Sequence, residues 1–303
     1  MEPTSPSPAQ RPSLLILWLP IVFWALAFPF IKIGLRELSP INLTILRLFS
    51  VCAIFLLMRA IVPKWFSPLQ KRDVFPLFLL GFFGVVVYHL GLNYGETLMS
   101  ASAASLIIAT IPLFMVVFAA VFLKEKITKR IAAGILVSAL GVVIISLVGT
   151  AGNTLSFPYL SAAVAILIAA IVGAIYTIAG KKLLDRYNGF SLTIYAFLFG
   201  SLGLLPFFAL SPSLVPEAAA MSGVGWAAVL FLAVFPTVIG YILWYVALEK
   251  ISAAQIGVYL YFIPVFSTIA SHFMFNEAVT WPFILGAALV LGGLLILNRH
   301  EAA

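Results

Sequence analysis

The chain has 303 residues, of which 63% are hydrophobic and 9% charged, with a mean hydropathy of +1.17 and a formal net charge of +7. A soluble domain carries roughly 25% charged residues, so this chain has too little polar surface to face water all round, and lipid is its solvent. The single Cys52 forms no internal disulfide, and no basic cluster with interleaved aromatics points to nucleic acid.

Residues 1–13 are rich in Pro and Ser and are expected to form a disordered tail. They lack the basic start and cleavage site of a signal peptide, so the first apolar run is kept as a membrane helix. Ten apolar runs reach the roughly 20 residues needed to cross a bilayer: 14–34, 41–62, 74–94, 100–123, 130–148, 158–179, 190–210, 222–247, 252–275 and 281–298. The stretch 149–157 reads as a linker between a first unit, 14–148, and a second, 158–298. Residues 299–303 form a short tail.

Charge tests that count. With the amino terminus in the cytoplasm, fourteen Lys and Arg residues fall inside, Lys32 and Arg36 fall outside, and Arg47 lies within helix 2. Both termini are therefore expected on the cytoplasmic side.

The chain also repeats itself. A shift of 152 positions lays Ser100–Ser146 on Ser252–Asn298 without a gap, pairing Pro112 with Pro264, Glu125 with Glu277, Gly134 with Gly286 and Gly141 with Gly293. Five helices per half turn the second copy over in the membrane. The basic turn LKEKITKR becomes FNEAVTWP, with no Lys or Arg, as an inverted copy requires. The expected fold is an all-α integral membrane protein: ten transmembrane helices, as two inverted five-helix repeats around a central cavity.

Several stretches carry a family likeness: Phe28–Lys32 (FPFIK), Ser39-Pro40 followed by Arg47, Tyr94–Ser105 (YGETLMSASAAS) and Pro112 to Glu125. The second half repeats the last two as Tyr245–Gly257 and Pro264–Glu277. The chain resembles the EamA-like branch of the drug/metabolite transporter superfamily over roughly 14–298. That resemblance implies a secondary transporter or exporter of small polar metabolites, amino acids or related compounds, with a cavity between the halves. It sets the expected location as the cell inner membrane, as a multi-pass protein. In the second half Tyr195 stands roughly where Arg47 stands in the first.

Polar groups within membrane helices mark functional sites. His89 and Asn93 lie one turn apart on helix 3, Tyr241 and Tyr245 on helix 8, and Gln255 and Tyr259 on helix 9. These faces are expected to line the cavity, although such residues also hydrogen-bond neighbouring helices. Trp24, Phe28 and Tyr176 are candidate aromatic walls. Arg47 can bind a carboxylate or phosphate, but the favoured reading pairs it with Glu37 or Glu96, or has it snorkel outward. Lys32 near the outer mouth attracts anions or anchors at the interface. Pro112 and Pro264 are expected to kink helices 4 and 9 in mid-span and to serve as hinges.

No Asp or Glu is expected at mid-membrane, with Glu96 placed near an outer end, so proton coupling through a carboxylate is not expected. Two other classes stay open: a lipid or lipid-linked-sugar translocase, and an integral membrane enzyme acting on lipid substrates. The enzyme lacks support, because no nucleophile sits beside a base, no residues have metal spacing and no phosphate-binding loop occurs. No cofactor, metal or nucleic acid is expected. The expected partners are a small-molecule substrate and membrane lipids; a monomer is compatible with the sequence.

Overall fold

A computed structural model describes residues 13–123, 129–148, 157–251 and 253–298. The expected tails, most of the linker and the Lys124–Thr128 turn lie outside them. The chain folds as α1 (Leu14–Gly34), α2 (Pro40–Ile61), α3 (Val74–Gly81), a π turn (Phe82–Val87), α4 (Tyr88–Leu98), α5 (Ala101–Ile108), α6 (Ile111–Leu123) and α7 (Lys129–Val148). There follow α8 (Phe157–Leu183), α9 (Gly189–Gly200), a 3-10 turn (Ser201–Leu204), α10 (Leu205–Ala209), α11 (Leu214–Ala220) and α12 (Gly223–Leu232). A second π turn (Ala233–Ile239) leads into α13 (Gly240–Lys250), α14 (Ala253–Gly257), another 3-10 turn (Val258–Tyr261), α15 (Phe262–Phe275) and α16 (Trp281–Asn298). No strand occurs among the described residues.

Seven stretches are long and apolar enough to cross a membrane: Leu14–Gly34, Pro40–Ile61, Lys71–Leu98, Ala101–Phe118, Phe157–Leu183, Gly189–Ala209 and Gly223–Lys250. Ala132–Ile144, Tyr259–Phe275 and Trp281–Gly293 are shorter apolar helices. The outer surface suits lipid. Large apolar side chains such as Leu56, Phe75, Leu136, Phe157 and Phe273 are exposed.

Two expected continuous helices are broken. Helix 4 stops where Ala109 N–H reaches Ser105 O at 3.0 Å and Thr110 N–H reaches Ile107 O at 3.0 Å; the Thr110 hydroxyl adds a bond to Ile107 O at 2.6 Å. It restarts at Ile111, with Pro112 second. Pro264 is likewise third in α15, after a 3-10 turn. Neither proline kinks a continuous helix. Each sits in a first turn, where a missing N–H costs little, and the break precedes it.

Four helix starts are closed by carboxylates from distant segments. Ser39 N–H, the cap of α2, donates to Glu217 Oε2 at 2.8 Å. Ser222, the cap of α12, donates to Glu37 from its N–H at 2.5 Å and its hydroxyl at 2.6 Å. The first turn of α5 donates to Glu277 from Ala101 N–H at 3.0 Å, Ser102 N–H at 3.2 Å and the Ser102 hydroxyl at 2.6 Å. Gly189 N–H, opening α9, donates to Glu249. In each case a negative charge meets unpaired N–H groups and the positive end of a helix dipole.

Glycine permits the closest helix contacts. A Cβ at Gly81 of α3 would lie 1.8 Å from Ala196 O of α9. Between α7 and α16, a Cβ at Gly141 would lie 2.6 Å from Gly286 O and 2.7 Å from Val290 N. One at Gly293 would lie 2.6 Å from Gly134 O and 2.7 Å from Ser138 N. Ser138 Oγ donates to Val290 O at 3.1 Å, across 152 residues.

Candidate substrate cavity

The two π turns shape the centre of the molecule. In the second, which contains Pro236, the Thr237 hydroxyl donates to the carbonyl of Leu232 at 2.7 Å. The Pro236 carbonyl accepts Trp24 Nε1–H from α1 at 2.8 Å. In the first, Val85 O contacts His89 Nδ1 at 2.6 Å. A carbonyl only accepts, so Nδ1 carries the hydrogen and Nε2 is left as an acceptor.

The first π turn, and the helix that follows the second, border a cavity of about 670 Å³ of atom-free space, its open mouth included. Trp24, Ala27 and Phe28 of α1 line it, with Arg47 of α2. Gly84 of the first π turn and Tyr88, His89 and Leu92 of α4 form a second wall. Gly173, Tyr176 and Thr177 of α8 and Tyr241 and Trp244 of α13 complete the aromatic part. Ile108, Ile111, Leu260 and Ile263 come from the two helix breaks.

The rings brace one another edge to face. Tyr241 lies 5.5 Å from Trp24 and 5.7 Å from Tyr176 between ring centroids, and Trp24 lies 5.0 Å from Trp244. Gly84 makes room for Tyr176, since a Cβ there would lie 2.2 Å from its Cδ2.

Arg47 is 3% exposed. Its Nε donates to Thr237 Oγ1 at 2.9 Å, while its Nη1 has no hydrogen-bond partner. It makes no ion pair with Glu37 or Glu96, contrary to the favoured sequence reading. Glu37 is taken by Ser222, and among the described residues the ion pair present is Arg186–Asp73, at 2.7 Å. The Tyr176 hydroxyl, also buried and on the cavity wall, has no partner either.

The structure divides the expected site. His89, Tyr241, Trp24, Phe28, Tyr176 and Arg47 come together around the cavity. Asn93 does not: its Nδ2 donates to Thr44 Oγ1 at 2.9 Å, fastening α4 to α2. Tyr245 is fully buried and donates to Tyr176 O at 2.8 Å, behind the wall. Tyr259 packs edge-on against Trp18 at 5.4 Å. The Gln255 side chain lies outside the described residues. Lys32 Nζ donates to the Glu96 carbonyl at 2.5 Å, and the residue is not among those that line the cavity. Glu96 lies two residues before the end of the apolar Lys71–Leu98 stretch, near a span end as expected, but it is fully buried there.

Sequence reasoning missed Tyr88, Trp244 and Thr177, as well as Thr237, which holds Arg47. The signal for Trp244 was its position three residues after Tyr241. The cavity face of α13 runs through i and i+3, and the i+4 neighbour turns away.

A family model described as "EamA-like transporter family" matches residues 11–147 and again 160–299. An "Uncharacterized transporter" of Archaeoglobus fulgidus is 37% identical over 95% of this chain and 99% of its own. A "Probable terminal-alkyne amino-acid exporter" of Streptantibioticus cattleyicolor is 33% identical over 94% of this chain and 92% of its own. A solved structure, described as "Crystal structure of protein", shares the fold with a TM-score of 0.68 at 21% identity, covering 94% of this chain and 97% of that one.

Proposed function

The chain belongs to the EamA-like transporter family and is a multi-pass membrane transporter, not an enzyme; from that premise we propose that it exports small amino acids or related carboxylates. One observation carries the substrate class: the buried guanidinium of Arg47, with Nη1 unpartnered, faces an aromatic cavity. A carboxylate meets such a donor with short, charge-assisted bonds. The free Tyr176 hydroxyl and the acceptor nitrogen of His89 suit an ammonium group, and the faces of Trp24 and Trp244 attract cations. The apolar remainder of the cavity suits a short hydrocarbon side chain. The relative named as an exporter of terminal-alkyne amino acids supports both the direction and the class.

Transport proceeds by alternating access between two inverted five-helix repeats, 14–148 and 158–298, joined by 149–157. The double family match supports this reading, as do π turns that correspond under a shift of 152. The contacts Gly141–Gly286 and Gly293–Gly134 are each other's image under the same shift. Ten spans, with tails 1–13 and 299–303 cytoplasmic in an inner membrane, fit the Lys and Arg distribution. The helix breaks ahead of Pro112 and Pro264 are the hinges.

The test is counterflow in proteoliposomes with propargylglycine, an amino acid bearing a terminal alkyne, beside its decarboxylated amine. The amino acid accumulates and the amine does not. Arg47→Gln abolishes accumulation while the protein stays folded. Equal transport of amine and amino acid would remove the carboxylate assignment.

A further inference from the structure

Glu96 lies on α4, two residues before its end, and is 0% exposed. Neither carboxylate oxygen has a hydrogen-bond partner. The adjoining Gly95 is closed over by α8, where a Cβ would lie 2.2 Å from Ile166 Cγ1. Lys32 spends its bond on the backbone carbonyl of Glu96, not on the carboxylate.

The charges acting on this acid are few. Lys32 comes from α1, Arg47 from α2 and Glu277 from the segment between α15 and α16. The Glu277 carboxylate is itself committed to the first turn of α5. Before its terminal lysines α8 carries only Tyr159 and Tyr176 as titratable groups, and α5 and the first π turn carry none. On α4 itself the others are Tyr88, His89 and Tyr94. Glu96 thus feels Arg47, Lys32 and Glu277 and has no hydrogen-bond donor of its own.

An ionised carboxylate with no donor and no water is costly, whereas a carboxylic acid is neutral and supplies its own O–H. A metal ion is a poor occupant: hard cations need several oxygen ligands, and the neighbouring ammonium repels them. The group that fits is a proton. It also interacts with the cavity. With Glu96 neutral, the field of Arg47 is left to the substrate; with Glu96 ionised, its charge opposes an incoming carboxylate. Such linkage is reciprocal.

We propose that Glu96 is a proton-binding site linked to carboxylate binding at Arg47, so that a proton leaves with the substrate as the substrate runs outward down its own gradient. The step is a protonation alone: a proton from water adds to the carboxylate on one side and leaves it on the other. The linkage rests on the reading of Arg47 as the carboxylate site; the proton site itself does not. It also replaces the sequence expectation that no carboxylate takes part in coupling.

Infrared spectroscopy of the protein in nanodiscs reads the proton site without any substrate. At neutral pH the wild type shows a carboxylic-acid carbonyl band that moves on exchange into heavy water. Glu96→Gln loses it, and Glu96→Asp and Arg47→Gln keep it. Absence of the band from the wild type, or its survival in Glu96→Gln, overturns the proton site. Proteoliposomes with an internal pH dye then read the linkage. Propargylglycine efflux carries protons out in the wild type and in Glu96→Asp, and carries none in Glu96→Gln, whose transport is flat with pH. Proton movement unchanged in Glu96→Gln, or wild-type transport that follows sodium instead, overturns it. If Arg47→Gln transports normally while the band is present, the carboxylate reading fails and the proton site stands. If the wild type does not move propargylglycine at all, the linkage falls with the substrate reading, and the infrared result decides the proton site alone.

Discussion

Arg47 and Thr237 lie 190 residues apart, and the side chain of one holds the other: Nε donates to Oγ1 at 2.9 Å, and that hydroxyl donates onward to Leu232 O at 2.7 Å. One bond fixes the guanidinium and leaves Nη1 free; the other ties the Thr237 hydroxyl to the backbone of its own helix. Thr237→Val keeps the shape and removes both bonds. A buried donor left without its partner costs about 1–3 kcal/mol, so KM for propargylglycine rises by roughly tenfold or more. Thr237→Ser retains a hydroxyl and stays near the wild type. Counterflow KM for the two variants decides this.

Tyr176 and Tyr245 are joined by a bond in which they play unequal parts. The Tyr245 hydroxyl donates to the Tyr176 carbonyl, whereas the Tyr176 hydroxyl is buried near Tyr245 and has no hydrogen-bond partner. Tyr245→Phe therefore lowers stability by about 1 kcal/mol and leaves substrate selectivity unchanged. Tyr176→Phe has little effect on stability and weakens amino-acid transport. Melting temperature and competition assays on both variants separate the two roles.

Two glycines of the same stretch should differ in cost. Gly81→Ala drives a methyl group into the backbone carbonyl of Ala196, which has no rotamer to escape into. Gly84→Ala meets Tyr176 at Cδ2, Cβ and Cγ, at 2.2, 2.6 and 2.6 Å; the ring can turn, but its Cβ moves only with α8. Overpacking costs about 1–3 kcal/mol; Gly81→Ala falls at or above the upper end. Gly84→Ala also loses stability, and because the shift displaces a cavity wall it loses transport too. Detergent-solubilised melting curves and uptake rates test the pair.

Acid should loosen the caps on α2 and α12. Burial opposes ionisation of Glu217, but bonds from Ser39 N–H, Asn42, Ser213 and the Ser39 hydroxyl prevail and hold its carboxyl below the ordinary value. The hydroxyl and N–H of Ser222 do the same for Glu37. A depressed folded pKa gives stability that is present above the unfolded value and lost as pH falls through the folded one. The melting temperature is thus flat through mild acid and drops below about pH 4. In a Glu37→Gln, Glu217→Gln double variant the neutral value is lower and the acid drop shallower. An unchanged acid limb would show that these caps contribute nothing.

Much of the fold can be read from the chain because lipid simplifies the problem. A run such as Leu14–Gly34 has one stable state in a bilayer, and the matched Gly134, Gly141, Gly286 and Gly293 mark where helices touch. The cavity was legible in part. His89, Tyr241, Trp24, Phe28 and Tyr176 are polar or aromatic groups where apolar ones would serve. Asn93 and Tyr245 misled because an i+4 partner shares a face only if the helix is regular and both side chains point the same way. The π turns just before α4 and α13 alter that, and nothing in FFGVVV announces one. Arg47 was misjudged because charge pairing was assumed; a neutral hydroxyl 190 residues away cannot be foreseen by spacing. Glu96 was counted by its distance along the helix, while its burial depends on how α8 closes over Gly95.

The seam between α7 and α16 bears on ancestry. A Cβ added at Gly141 would lie 2.6 Å from Gly286 O, and one added at Gly293 the same distance from Gly134 O, and each pair is the other displaced by 152 residues. That is the geometry of a self-complementary patch, the kind two identical subunits share about a two-fold axis. A gene encoding a single half would have carried both sides of this seam already, needing only a second molecule inserted upside down. On the proposed inverted-repeat reading, fusion of two such genes would release each copy to specialise, and the arginine of one half, absent from the other, fits that freedom.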